Sequence, residues 1–245
     1  MVSNPSAAAI HRRMKARGKP ARAKAAQWYF KTGPGEYAEG DRFLGLDVPT
    51  LRSLAREYQL LPMPTVATLL ESRWHEERLL ALLILVHQYA TGTPATQRAI
   101  YRLYVGSTRY INNWDLVDSS AWQIVGAHLA DRSRSPLVRL ARSRDLWKRR
   151  IAMIATSHYI KDGDFRDTLR IAGLLVNDEH DLIHKAVGWM LREVGNRDRP
   201  AEESFLRAHA EHMPRTMLRY AVERFPAGLR RKYLAHRDRD VRRGT

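Results

Sequence analysis

Apolar residues along this chain of 245 residues recur three and four positions apart, the spacing of one face of an α-helix. The period runs through "VPTLRSLAREYQLL", "HEERLLALLILVHQYA", "TPATQRAIYRLYVG", "NNWDLVDSSAWQIVGAHLA", "DLWKRRIAMIATSHYI", "DFRDTLRIAGLLV", "DLIHKAVGWMLREVG", "AEESFLRAHAEH" and "RTMLRYAVERF". Short breaks separate these stretches, marked by Pro62, Pro64, Pro94, Pro136, Pro200 and Pro214. The pattern predicts an all-α chain. It also repeats: "WKRRIAMIA" from Trp147 aligns with "IHKAVGWML" from Ile183, setting Ile151 over Val187, Ala152 over Gly188 and Ile154 over Met190. "ERLLALLIL" from Glu77 fits the first of these about two periods earlier. A unit of about 36 to 40 residues holding two helices predicts a HEAT-like α-solenoid of helical pairs, whose inner helices line one concave surface.

One segment breaks the period. "FKTGPGEYAEGDRFLG", residues 30–45, holds four glycines and a proline and cannot be helical throughout, so a β-hairpin or ordered loop is expected near residues 31–42. It matches no Walker or dinucleotide pattern, and a plain connector is the alternative.

With 44% apolar residues the chain can build a sizeable core. The absence of cysteine excludes disulfides, thiolate metal sites and a cysteine nucleophile, and is compatible with a reducing compartment. The longest apolar run, "LLALLILV", is too short for a membrane span, and the basic N-terminus lacks the apolar core of a secretory signal. A cytoplasmic, nucleoid-associated protein with no membrane partner is expected. Charge narrows the partner further: 42 Lys and Arg against 26 Asp and Glu leave +16, which attracts polyanions, nucleic acid first among them. The excess is uneven. Arg12, Arg13, Lys15, Arg17, Lys19, Arg22 and Lys24 make residues 1–26 a basic helix or arm without acids, and residues 236–245 a basic tail, on either side of a repeat domain over 27–235. Two solvated basic ends are the plainer reading of the same charges.

Candidate chemistry concentrates in "NNWDLVDSSAW", residues 112–122. Asn112 or Asn113 can cap a helix there, and Asp115 falls where the helix dipole favours negative charge. Trp114 and Asp118, four residues apart, lie one above the other on one face.

Together, "WYFKTGPGEYAEGDRFLGLDVPTLR", "NNWDLVDSSA", "LWKRRIAMIAT" and "IHKAVGWMLRE" resemble the AlkD-like DNA alkylation repair proteins over roughly residues 25–225. The resemblance implies a HEAT-like solenoid that grips duplex DNA in a basic concave cleft and excises cationic N3- or N7-alkylated purines, as a monomer without cofactor or metal. Its site residues fall on Trp114 and Asp118 in "WDLVD", Arg150 in "KRRIA" and Trp189 in "AVGWMLRE". Asp118 would face the oxocarbenium-like sugar and position water, the tryptophans would pack on the deoxyribose, and Arg150 would meet a phosphate. The spacing agrees: Asp118, Arg150 and Trp189 recur at close to the repeat period, so stacked repeats would bring them towards one substrate. Core aromatics and an Arg150–Asp118 salt bridge are the structural alternatives. Lys148, Arg149 and Lys185 flank these positions and read as phosphate contacts, joined by Lys31 and Arg42 of the glycine-rich segment. His158, His180, His184, His209 and His212 form no ligand pattern, so no metal is expected. "DSSA" reads as small residues where helices approach, with no Ser-His-Asp order in the chain. Two other classes stay open: a non-catalytic binder of branched or damaged DNA, as relatives carrying the glycine-rich insertion imply, and a protein-interaction scaffold.

Overall fold

The computed structural model describes residues 5–241, with side chains described through residue 235. The chain is all-helical and forms an α-solenoid, and among the described residues there is no strand. It divides into two compact units between His128 and Leu129.

The first unit holds α1 (Ala7–Arg17), α2 (Pro20–Tyr29), α3 (Val48–Glu57), α4 (Met63–Leu70), α5 (His75–Thr91), α6 (Pro94–Gly106) and α7 (Trp114–Asp118). α5 is its centre. Leu79 to Leu82, Ile84 and Leu85 are buried, and α3, α4, α6 and α7 all pack against it. A helix apolar on every side is stable only when covered all round. α1 is part of this body: Ile10 and Met14 are fully buried, and Arg13 reaches Glu57 and the hydroxyl of Tyr58.

After α7 the chain turns at Ser119, runs through a single π turn at Trp122–Gly126 and enters the short α8 (Ala127–Leu129). The second unit follows with α9 (Ser135–Ala141), α10 (Leu146–Ala155), α11 (Ser157–Lys161), α12 (Arg166–Leu175), α13 (Asp181–Gly195), α14 (Arg199–His209), α15 (Arg215–Ala221) and α16 (Ala227–Val241). Here α13 is central, packed by α10, α12, α14 and α15. The aligned pairs Ile151 with Val187 and Ile154 with Met190 are all buried. Gly188 is the contact point for α15, since a Cβ there would stand 2.4 Å from the Met217 carbonyl oxygen.

Several expectations change. Pro64, Pro94, Pro136 and Pro200 sit in first turns rather than between helices, where a missing N–H costs nothing. Two short helices, α4 and α9, begin this way inside stretches expected as breaks. The segment after Phe30 is the ordered loop of the two forms expected, a chain of turns whose one bridge pairs Arg42 with Trp74. The basic tail falls partly outside the described residues, its backbone continuing as helix to Val241.

Candidate functional site

α7 is five residues long, too short to stand alone, so its placement comes from its neighbours. Asn113 is its cap: fully buried, it accepts the Trp114 N–H on Oδ1 at 2.8 Å. Leu116 and Val117 face the core, while Trp114 and Asp118, one turn apart, are both half-buried. Just past the C-cap at Ser119, the Ser120 hydroxyl bonds back to the Leu116 carbonyl at 2.6 Å and meets the Tyr104 hydroxyl at 3.0 Å. "DSSA" is thus a place where a buried serine ties α6 to α7. Burial, with the nearby charge of Asp118 adding, pushes the Tyr104 phenol well above its ordinary value.

Trp114 belongs to an aromatic cluster at the root of the glycine-rich loop. Phe30 stacks on it with ring centroids 5.4 Å apart, and Tyr29 meets it edge-on at 5.9 Å. Phe30 also stacks on Phe43 at 5.2 Å, and both phenylalanines lie against the His75 ring. One face of Trp114 is therefore taken by the protein itself.

Beneath this cluster runs a buried ionic chain. His75 Nε2 donates to Asp115 at 2.8 Å and Nδ1 to Asp41 at 3.3 Å, and Asp41 accepts from Arg78 at 2.7 Å. Burial works against a charge on His75, but the two carboxylates outweigh it and raise the imidazole to about 9. Asp41 stays below its usual range: its burial opposes this, while the bonds and charges of His75 and Arg78 prevail. Asp115 therefore does more than complement a helix dipole. Next to His75, Glu76 accepts the N–H groups of Leu44, Gly45 and Leu46, which fixes the far end of the loop. Gly45 is required there: its φ is +83°, and a Cβ would lie 2.2 Å from the Lys19 carbonyl oxygen.

The loop differs from a phosphate clamp. Lys31 and Arg42 are exposed, but Glu36 and Glu39 are exposed too, accepting the N–H groups of Gly33 and Gly35. These two acids offset the two bases.

In the second unit Trp189 is half-buried on α13 and donates to Glu193 at 3.2 Å. Arg150 is buried on α10, and its guanidinium donates to the Leu182 carbonyl, tying α10 to the first turn of α13. That is not the exposed setting a phosphate contact needs. Arg149 is likewise engaged, with Asp178 at 2.6 Å and the carbonyls of Ser143 and Arg144. Lys185 pairs with Asp181 at 2.6 Å, and Lys148 is half-buried on α10. Among the described residues no group of three or more His, Cys, Asp or Glu is placed to hold a metal ion, and no helix is long and apolar enough to cross a membrane.

His75 and Asp41 were not singled out from the sequence. The signal available was slight: an acid inside the glycine-rich stretch and a histidine opening an otherwise apolar helix.

Residues 10–225 match the DNA alkylation repair enzyme family. The fold is similar to the solved structure of a predicted DNA alkylation repair enzyme from Enterococcus faecalis, with a TM-score of 0.65 at 15% identity over 86% of this chain and 97% of that one. At that identity the likeness is one of fold. No curated protein matches the chain. The match spans both units and the motifs that hold Trp114, Asp118, Arg150 and Trp189, and the chain belongs to the family of DNA alkylation repair enzymes.

Proposed function

We propose that the protein is a DNA glycosylase that hydrolyses the N-glycosidic bond of cationic N3- or N7-alkylated purines in duplex DNA. Family membership supports a role in alkylation repair, and the specific chemistry rests on α7. The observation that carries it is the pairing on that helix of Trp114 and Asp118, one turn apart and both half-buried at the edge of the core, on a turn anchored through Asp115 to His75.

The reaction needs little else. Alkylation at N3 or N7 makes the base cationic, so the C1′–N bond breaks with its electron pair neutralising the purine, and no general acid is required. The sugar passes through an oxocarbenium-like state, which a nearby carboxylate stabilises. Water then bonds to C1′ and gives up a proton to Asp118 or to solvent. Trp114, backed by Phe30, offers its remaining surface to the deoxyribose and its electron-rich ring to the cationic lesion. Trp189 enters on its motif and its half-buried setting, and Arg150 as the residue that seats the start of α13. The DNA backbone is met by the net positive charge.

The test is release of free base. Purified protein incubated with methylated duplex should liberate 7-methylguanine or 3-methyladenine above the spontaneous rate. Tight duplex binding without release would leave the non-catalytic binder as the correct reading.

A further inference from the structure

We propose that His75 is a positioning residue of the excision site: held between Asp41 of the glycine-rich loop and Asp115 of α7, it locks the loop root to the start of α7 and so sets where Trp114 and Asp118 meet the damaged nucleotide. This rests on the glycosylase reading above.

The geometry calls for both ring N–H groups. A neutral imidazole has one N–H and can serve one carboxylate, but here each ring nitrogen faces an acid, Asp115 on one side and Asp41 on the other. Charged groups reach His75 from three elements: Asp41 from the loop, Asp115 from α7 and Arg78 from its own helix. Phe30 and Phe43 cover its faces with no charge. Arg78 balances the second carboxylate, so the chain of four groups holds two positive and two negative charges. Such a set stays protonated well above neutral pH, in keeping with an imidazole raised to about 9.

What the clamp joins has little regular structure of its own. α7 has five residues, and the loop from Phe30 to Gly45 has no strand pairing beyond the single Arg42–Trp74 bridge. Phe30 packs against Trp114, Phe43 and His75, with ring centroids 5.4, 5.2 and 4.9 Å away. Releasing His75 would let the loop root, Phe30 and Trp114 shift together, with Asp118 carried along on the same short helix. A displacement of about 1 Å at a reacting centre costs on the order of a hundredfold in rate.

His75→Gln keeps one donor and loses the charge, and Asp115→Asn leaves the Asp41–Arg78 pair intact should the first variant fold poorly. Single-turnover excision from a 7-methylguanine duplex should fall by about a hundredfold in each, while affinity for undamaged duplex stays at the parent value. The parent rate, corrected for spontaneous loss, should decline as pH rises through about 9, and His75→Gln should lack that decline. Limited trypsin digestion should cut after the exposed Lys31 several times faster in both variants. Folded variants that excise at the parent rate, or that lose activity only with the folded fraction and with unchanged cleavage at Lys31, overturn the proposal. A parent protein that releases no base sinks the glycosylase reading instead. The trypsin comparison then decides the clamp alone, unchanged cleavage overturning it.

Discussion

Glu202 lies on α14 against the backbone of Gly195, where a Cβ would collide with its carboxyl, and Oε1 is buried without a hydrogen-bond partner. Burial, helped by Glu203 and opposed by Arg199 and Arg192, raises this acid to about 8. A raised folded value means the contribution is fully present below the unfolded value, near 4.5, and is lost as pH rises through about 8. Urea unfolding should therefore show stability dropping by roughly 2–4 kcal/mol from pH 5 to pH 8.5, and Glu202→Gln should flatten that slope. An unchanged slope in the variant would assign the pH response elsewhere. Side chains such as Trp114 and Asp118 were legible beforehand because four-residue spacing on a helix fixes their relation without knowledge of the fold. His75 and Asp41 were not, since 34 positions and a loop of irregular path separate them. The same limit hid the engagement of Arg149 with Asp178 and of Arg150 with Leu182: a sequence shows a cation but not the carbonyl or carboxylate that folding brings to it.

α13 shows how much periodicity can give, because its stretch coincides with the helix from Asp181 to Gly195. The cap is less legible. His180 Nδ1 accepts the Leu182 N–H at 3.1 Å, which requires a neutral ring, and burial together with the charges of Arg149 and His184 holds its value below the ordinary one. A depressed value gives stability that is present above about pH 6.5 and lost as pH falls through the folded value. Amide-exchange protection factors at Leu182 and Ile183 should fall as pH drops below the ordinary histidine range, and His180→Asn should weaken that dependence. Gly188 makes the opposite demand. Since a Cβ would meet the Met217 carbonyl oxygen at 2.4 Å and Tyr220 Cβ at 2.5 Å, Gly188→Ala should push α15 from α13 and cost about 1–3 kcal/mol in urea unfolding. A neutral result would mean the two helices separate freely. Among the elements missed, α4 and α9 have eight and seven residues, too few turns for a period to declare itself, while α16 is longer but carries no apolar stripe. "NNWDLVDSSAWQIVGAHLA" keeps its helical period across the break at Ser119 and the π turn that follows, which no apolar spacing records.

Family membership assigns the chain to alkylation DNA repair. A net charge of +16 implies binding through phosphates, so affinity for undamaged duplex, followed by fluorescence anisotropy, should fall by about a thousandfold or more between 50 and 200 mM salt. Salt-insensitive binding would favour a protein-interaction scaffold. Exchanging the loop residues 31–42 for a short linker should affect duplex affinity little, because Glu36 and Glu39 offset Lys31 and Arg42 there, while disturbing excision through Trp114. The proposed chemistry turns on one carboxylate. Asp118→Asn keeps the shape of the side chain and removes the charge proposed to face the oxocarbenium, so single-turnover release of 7-methylguanine should fall by on the order of a hundredfold or more, with duplex affinity equal to the parent's or slightly higher. A folded, DNA-bound Asp118→Asn protein that still releases the base at the parent rate would contradict the assignment.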